Sequence, residues 1–322
     1  SKQKSENPTM ENKTIRVFAP ASTANLGCGF DVMGMALDGV GDVLRMSVRP
    51  GDSLSIDNES GVDLPSDVEK NVITPAVRAF LAAVGKKAAV EIVVEKKILP
   101  GSGIGSSAAS SAAAVFGLNE LFGRPFAVKD LVEFAMQGEK LISGTAHADN
   151  SAPSVMGGIV FIRGYEPLDV VSLPVPEAFC FSVVHPHIMV STKAAREVLR
   201  KEIPMREAVT QWGNVGGLVA GIMMGDMALI GRSMRDVVVE PYRKGFIPGY
   251  DALKAACMAE GALAVNISGS GPSVFALSDS IETAQRVGQA MKVHFDRLNI
   301  ENDLYVSHVP TVGARVLDGG DK

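Results

Sequence analysis

The chain has 322 residues, a length that predicts two domains or one large domain. Hydrophobic residues make up 46% of it and charged residues 21%, which is ordinary for a globular protein with a sizeable core. The formal net charge of −5 argues against a nucleic-acid-binding protein, because that class needs a basic face. Its three cysteines, Cys28, Cys180 and Cys257, form no C-x-x-C motif. We therefore expect a reduced, cytoplasmic protein without a disulfide framework or a zinc ribbon.

Two segments bear on targeting and assembly. Residues 1–12 are polar and lack the apolar centre of a signal peptide, so we expect a disordered lead or a remnant of expression. The longest apolar stretch, 212–231, is rich in glycine and is interrupted by Asp226. A membrane span would need about 20 apolar residues with few or no charges. We therefore predict no membrane span there, but a buried helix or the contact between subunits of a homodimer.

The first half of the chain is predicted to mix strands and helices. Hydrophobic periodicity predicts strands at 14–19, 43–48, 53–56 and 88–98, and helices at 71–84, 107–122 and 128–141. Gly85 is a suitable C-terminal signal for the first helix, and Gly123 and Pro125 close the second. A loop from Pro20 to Gly29 follows the first strand.

The second half is predicted to begin near Gly164. The pattern there predicts strands at 179–185, 264–268 and 273–277, and helices at 192–201, 206–224, 249–260 and 281–298. We expect Met223, Met224 and Met227 in a helical core stripe. Helices and strands segregate only partly along the chain, which favours the α+β class with mixed sheets.

A glycine-rich segment, PGSGIGSSAASSAAA at 100–114, lies between a predicted strand and a predicted helix. A helix N-terminus has unpaired N–H groups and a partial positive charge, and glycines let the backbone approach an anion. We therefore predict a phosphate-binding loop, although a serine-capped turn without a ligand is an alternative for this segment alone. The string matches neither the dinucleotide nor the Walker pattern. The predicted phosphate-binding residues are Pro100, Gly101, Ser102, Gly103, Ile104, Gly105, Ser106, Ser107, Ala108, Ala109 and Ser110.

Two further glycine segments carry polar residues. In APASTANLGCGFDVMGMALD at 19–38, Asn25 can donate and accept hydrogen bonds and Asp31 can hold an ammonium group. That pair suits a zwitterionic amino acid, although both residues are also common in plain turns. The segment NISGSGPSVFAL at 266–277 is predicted to lie against the phosphate loop, and a simple hairpin turn is the alternative.

Together these three segments resemble the motifs of the GHMP kinases. The resemblance implies an α+β fold with two lobes and ATP in the cleft between them. The N-terminal lobe, 13–163, would be similar to ribosomal protein S5, and the C-terminal lobe, 164–322, would be ferredoxin-like. The last strand would be able to return to the first lobe.

Further strings resemble the branch of that family that phosphorylates L-homoserine. They are GTAHADNSAPSVMGG at 144–158, EPYRKGFIPGYD at 240–251 and the closing T-x-G-A-R-V at 311–316. By this resemblance His147 and Asp149 would contact the amino acid and Arg243 would bind its carboxylate, with Arg196 as a second contact. An arginine fork does match a carboxylate in a bidentate manner. The alternatives are a kinase of sugars or mevalonate, or a nucleotide-binding protein without catalysis.

The chemistry expected from the resemblance is phosphoryl transfer with Mg²⁺, held by Glu139 and Ser106. Asp149, Asn150 and Thr192 would position the reacting groups. Whether a general base exists is left open, because the transition state of this transfer is loose.

Two other features receive plainer interpretations. We expect His185 and His187 to be turn residues, because no carboxylate or cysteine pair is near them in the sequence. We expect Lys96 and Lys97 to be a solvated strand end, with contact to the nucleotide as the alternative.

Overall fold

A computed structural model describes residues 13–317. The predicted disordered lead at 1–12 lies outside the described residues. No helix within the described part of the chain has the length and hydrophobicity needed to cross a bilayer.

Two sheets organise the described chain. The strands are β1 Thr14–Ala24, β2 Met33–Arg49, β3 Ser53–Asn58, β4 Ala89–Lys96, β5 Ile159–Tyr165, β6 Leu168–Leu173, β7 Cys180–Pro186, β8 Ala264–Ile267, β9 Val274–Ser278, β10 Asn302–His308 and β11 Arg315–Leu317. The first sheet has seven strands, with the path β11-β1-β2-β4-β3 and the β5–β6 hairpin paired to the first part of β2. The second has four, in the order β10-β7-β9-β8.

Helices connect and cover these sheets. They are α1 Ile73–Val84, α2 Ser106–Leu121, α3 Leu131–Ala135, α4 Gln137–Ser143, α5 Ser151–Met156, α6 Thr192–Glu197, α7 Met205–Met224, α8 Met227–Ser233, α9 Glu240–Arg243, α10 Tyr250–Ala259 and α11 Ile281–Arg297. Short 3₁₀ turns lie at Val68–Lys70, Val128–Asp130 and Lys244–Phe246.

The helix that begins at Ser106 is the central packing element of the first lobe. Most residues of α2 are small, and those from Ala108 to Val115 are all buried. Small side chains let a helix approach its neighbours closely, and α2 contacts α1, β1 and β2. Its N-terminus therefore lies at a fixed place beside the first sheet.

The core of the first lobe is closed by an aromatic cluster. Phe80 of α1 is fully buried and makes edge contacts with Phe122, Phe126 and Phe134, at ring-centroid distances of 5.7, 5.4 and 5.8 Å. Edge-to-face packing suits the aromatic quadrupole. These contacts hold α1 against α2 and against the segment that leads to α4.

Several predicted elements have different bounds in the structure. The single helix predicted at 128–141 is divided into a 3₁₀ turn, α3 and α4. The loop predicted from Pro20 is strand as far as Ala24, and the first part of β2 was not predicted at all. Residues 20–24 and 33–37 are buried on both faces, so they lack the alternation that marks a half-buried strand.

The predicted lobe boundary after residue 163 stays a prediction. The strand β5 runs through that position, and β5 and β6 both pair within the first sheet. The chain enters the second sheet at β7, and β11 pairs with β1 in the first sheet.

Candidate active site

The glycine loop before α2 turns sharply on left-handed residues. Gly101, Gly103 and Gly105 have φ of 75°, 81° and 72°, which non-glycine residues adopt only at a cost. Gly105 is the residue before the first turn of α2, and no side chain caps that helix. The unpaired amides of the first turn are therefore available to an anion.

The third glycine segment lies against this loop. The hydroxyl of Ser268 donates to the carbonyl of Gly103 at 2.7 Å, and that of Ser273 donates to the carbonyl of Ser102 at 2.6 Å. The Ser273 amide reaches the same Ser102 oxygen at 3.3 Å. The β8–β9 turn thus fixes the loop from the second lobe.

A cavity of about 350 Å³ opens beside the loop, a size typical of small-molecule sites. Predicted residues that line it are Asn25, Asp31, Pro100, Gly101, Gly103, Gly105, Ser106, Ser107, Ser110, Glu139, His147, Asp149, Asn150, Thr192, Arg196 and Arg243. Four other predicted loop residues do not line it, and their side chains are buried: Ser102, Ile104, Ala108 and Ala109. They support the loop from beneath.

The two serines at the start of α2 have different surroundings. The Ser107 hydroxyl donates to a carboxylate oxygen of Glu139. The Ser106 hydroxyl donates instead to the carbonyl of Ile98 at 2.8 Å and accepts from the ammonium of Lys97. The metal pair of Ser106 and Glu139 stays a prediction, and in the described geometry it is the Ser107 hydroxyl that contacts Glu139, because successive helical residues point about 100° apart.

The side chain of Lys97 is buried, which contradicts the solvated strand end expected for it, whereas Lys96 is exposed as expected. The Lys97 side chain is 4% exposed, and its ammonium lies 3.0 Å from the carboxylate of Asp42, which is fully buried. Asp42 also accepts from the Ile98 amide at 2.8 Å and from the Ser110 hydroxyl. Sequence reasoning missed Asp42, since its partners are distant along the chain.

Burial is the main influence on the pKa of the Glu139 carboxyl. Burial raises its pKa above the usual range, while the hydrogen bond from Ser107 and the charge of Lys97 oppose that rise. A nearby cation stabilises the charged form of such a buried carboxylate, which water cannot solvate.

A charged cluster lies at another part of the cavity. Arg196 donates to both carboxylate oxygens of Asp31 at 3.0 Å each, and His147 Nδ1 lies 3.6 Å from the same carboxylate. Burial lowers the pKa of His147 below its usual value. Asn25 supports this cluster, because its side-chain oxygen accepts from the Asp31 amide at 3.2 Å while its amide nitrogen donates to the Gly269 carbonyl at 3.2 Å.

Arg243 is held rigidly beneath that cluster. It is 4% exposed, and its guanidinium donates to the carbonyls of Ala195 at 2.8 Å and Gly269 at 2.9 Å. Burial, and then repulsion from Arg196, lower its pKa to about 10. Both guanidinium groups lie over the ring of Phe30, at 5.3 Å for Arg196 and 5.1 Å for Arg243. Phe30 is a positioning residue that sequence reasoning missed.

The segment after α4 contributes a buried acid. Asp149 is 4% exposed, and burial, followed by the charges of Asp31 and Glu139, raises its pKa to about 8. Asn150 accepts at its side-chain oxygen from the hydroxyl of Ser22 at 2.9 Å. Tyr165, also missed from the sequence, donates to the backbone oxygen of Asp31 at 2.6 Å and accepts from the Ala148 amide at 3.3 Å. It ties this segment to the charged cluster.

The remaining lining was also missed. It comprises Ala24, Leu64, Pro65, Lys70, Asn71, Val72, Ile73, Val94, Lys97, Gly269 and Ser270. Leu64, Pro65 and Val72 are apolar residues of the connection before α1, and Ile73 and Val94 extend this apolar wall. Such a wall suits a flat apolar group.

Two family models match the chain: "GHMP kinases N terminal domain" over residues 71–158 and "GHMP kinases C terminal" over residues 216–297. Together with the glycine loop at the start of α2, these matches define a phosphotransferase of the GHMP kinase class. A homoserine kinase of Chlorobium phaeobacteroides is 44% identical over 320 residues, which cover 95% of this chain and 100% of that protein. One of Chlorobium phaeovibrioides is 45% identical with the same coverage.

A crystal structure of homoserine kinase from Cytophaga hutchinsonii matches with a TM-score of 0.91 and 50% identity, covering 95% of this chain and 98% of that one. The chain belongs to the homoserine kinase family. The predicted family and the two-lobed α+β fold are therefore confirmed.

The contact between the lobes gives a first testable prediction. A Cβ added at Gly103 would lie 2.5 Å from the carbonyl oxygen of Gly271, whereas one added at Gly101 would meet only Met189 at 3.9 Å. Both glycines have positive φ, so alanine strains the backbone at either position. We expect Gly103→Ala to lower the free energy of unfolding by about 1–3 kcal/mol more than Gly101→Ala. Urea unfolding of both variants measures this, and equal losses would show that the contact does not constrain the loop.

Proposed function

We propose that this protein transfers the terminal phosphoryl group of ATP to the side-chain hydroxyl of L-homoserine. The product would be O-phospho-L-homoserine, and the reaction would be a step of threonine biosynthesis in the cytoplasm. The observation that carries the proposal is one cavity with a helix N-terminus beside it and a pair of arginines within it. The names of the relatives, which are homoserine kinases, support the same substrate.

The phosphate end of the proposed site uses backbone amides. The glycine loop and the first turn of α2 would surround the β- and γ-phosphates, and the apolar wall before α1 would receive the base. In the transfer, the homoserine hydroxyl oxygen forms a bond to the γ-phosphorus as the bond from that phosphorus to the β–γ bridging oxygen breaks. The hydroxyl proton leaves to the transferred group or to water, and we assign no side chain as its base.

The residues present fit a magnesium ion. Glu139 offers a desolvated carboxylate, and the Ser107 hydroxyl beside it offers a neutral oxygen. Mg²⁺ prefers oxygen ligands and retains several waters. When bound there, it would neutralise charge on the phosphate oxygens. We therefore propose Glu139 and Ser107 as the metal ligands, in place of the predicted pair of Glu139 and Ser106.

The amino-acid end uses the charged cluster. Arg196 and Arg243 would bind the substrate carboxylate, and Asp31 and His147 would face its ammonium group. In the described state Asp31 is paired with Arg196, so a zwitterionic ligand would exchange this ion pair for two of its own. That exchange lets the site accept both charges without leaving either partner unpaired.

Three residues between these ends would position the acceptor. Asp149 and Asn150 lie at the start of α5, and Thr192 is the first residue of α6, whose N-cap is Ser191. All three side chains border the cavity. Phosphoryl transfer depends mainly on alignment and charge neutralisation, so orienting groups of this kind suffice for catalysis.

The function is tested by the turnover of MgATP with homoserine, threonine, serine, galactose and mevalonate offered in parallel. We expect the highest kcat/KM with homoserine. Galactose has no carboxylate for the arginines, mevalonate has a carboxylate but no ammonium group for Asp31 and His147, and serine and threonine carry shorter hydroxyl arms. Phosphorylated product is measured directly by mass spectrometry. Robust phosphorylation of galactose or mevalonate without homoserine activity would overturn the proposal.

A matched pair of variants refines that test. Arg196→Leu should raise the homoserine KM by at least about 10-fold while changing the ATP KM little, since a bidentate contact to a carboxylate is lost. Arg200→Leu is the control, because Arg200 is exposed and contacts Glu207 and Tyr242 instead of the cavity. Equal changes in both KM values for Arg196→Leu would contradict a role in carboxylate binding.

The metal ligands are tested by two neighbouring alanine substitutions. Ser107→Ala should raise the Mg²⁺ concentration needed for half-maximal activity by about 10-fold, because one oxygen ligand is lost. Ser106→Ala should leave that concentration nearly unchanged, since this hydroxyl is engaged by Lys97 and Ile98. Activity measured over a Mg²⁺ titration separates the two. The reverse order of effects would restore Ser106 as the ligand.

We further propose a homodimer formed through α7. The helix exposes large apolar side chains, with Trp212, Met223 and Met224 exposed by 58%, 60% and 66%. Met223 and Met224 therefore do not belong to the core stripe expected for them, while Met227 packs against the core. Exposed apolar patches mark interaction sites, and tryptophan is enriched among residues that contribute most to binding.

Trp212→Glu should convert the dimer to a monomer, because a buried charge would replace an apolar contact. Met258→Glu is the control, since Met258 is 46% exposed on α10, a different helix. Light scattering coupled to size-exclusion chromatography gives the mass of each variant. A monomeric wild type, or a dimeric Trp212→Glu protein, would rule out this interface.

A further inference from the structure

Two strands of the second sheet bring histidines and a carboxylate together away from the active site. His185 and His187 stand two residues apart along β7 and its continuation, so their side chains lie on the same face. Asp303 of β10 is the cross-strand partner of His185. The His187 amide donates to the Glu301 carbonyl at 2.7 Å and extends the strand pairing past the end of β7. These side chains were expected to be plain turn residues, because the carboxylates come from a distant part of the sequence.

The ligand atoms of this cluster are close enough for one metal ion. One atom from each of His185, His187 and Asp303 lies within 4.8 Å of the other two. Asp303 Oδ2 is 3.7 Å from His185 Nδ1 and 2.8 Å from His187 Nε2. Tetrahedral zinc with bonds of about 2.0–2.1 Å separates its ligand atoms by roughly 3.4 Å. The distance from Asp303 to His185 is already close to this value. The side chain of His187 is 33% exposed, so a small rotation can lengthen its distance to Asp303.

A further carboxylate lies behind the ring of His187. His187 Nδ1 lies 3.6 Å from the carboxylate of Glu301. A carboxylate on the far nitrogen fixes the tautomer of a ligating imidazole and raises its basicity. A small movement of the exposed Glu301 side chain would shorten this contact to a hydrogen bond and so direct His187 Nε2 towards the metal.

We propose that His185, His187 and Asp303 bind one zinc ion, with water in the fourth position. Two imidazoles and one carboxylate suit zinc and other late first-row ions, whereas Mg²⁺ and Ca²⁺ prefer oxygen ligands alone. The ion would link β7 to β10, which is one of the two edge strands of the second sheet. It would also fix the start of the connection from β7 to α6.

The proposal is tested by titrating the metal-free full chain with zinc in the presence of excess Mg²⁺, which occupies the carboxylates of the active site. We expect one zinc per chain, a zinc-dependent rise in the unfolding temperature and, with cobalt substituted for zinc, the visible absorption of a tetrahedral site. His187→Ala and Asp303→Asn should each weaken zinc binding by at least about 100-fold. Glu301→Gln should weaken it by about 10–100-fold, the usual effect of losing a carboxylate behind a ligand.

His308→Ala is the matched control. His308 lies at the other end of the same strand pair, where its Nδ1 is 3.3 Å from Cys180 Sγ, a second combination that can attract zinc. We expect this variant to keep the zinc affinity of the wild type. Loss of binding in His308→Ala with retention in His187→Ala would place the ion at the wrong end of the strands and overturn the proposal. Failure of the wild type to bind zinc would show that the cluster makes hydrogen bonds only.

Discussion

The contact between the phosphate loop and the β8–β9 turn controls the geometry of the whole site. The loop belongs to the first lobe, and its glycines adopt positive φ so that the amides at the start of α2 face the cavity. Two hydroxyls from the second lobe restrict this loop. Those of Ser268 and Ser273 donate hydrogen bonds to the carbonyls of Gly103 and Ser102. Small side chains on both sides make the approach close enough for these bonds. The cavity is therefore shaped by the packing of one lobe on the other.

Charge inside the cavity is balanced by fixed pairs. Lys97 is paired with Asp42 and Arg196 with Asp31, while Arg243 bonds backbone carbonyls. Unpaired buried charges would be costly, so each ion has a partner in the described state. In the proposed function, a zwitterionic substrate would bind by exchanging the pair of Arg196 and Asp31 for two ion pairs of its own, so that selection would depend on the spacing of its charges.

The sequence predicted the parts of the site that depend on local chemistry. Glycine segments predicted the sharp loop before α2, because positive φ restricts the choice of residue, and α1, α2 and α11 followed from periodicity. It failed where the outcome depends on tertiary contacts. The choice between Ser106 and Ser107 rests on the rotation of α2 relative to α4, and the burial of Lys97 rests on Asp42 of another strand. Phe30 and Tyr165 act through neighbours that no local pattern reveals.

A short chain of contacts joins the two ends of the cavity. Arg243 bonds the Gly269 carbonyl, and the adjacent Ser268 bonds the carbonyl of Gly103 in the phosphate loop. A carboxylate bound by Arg243 would thus be positioned by the same turn that contacts the phosphate loop. Alignment of two substrates within a fraction of an ångström can account for several kcal/mol of a transfer barrier, on the order of 7–11 kcal/mol at most. In the proposed function this turn would supply that alignment, because hydrogen bonds tie it to the loop.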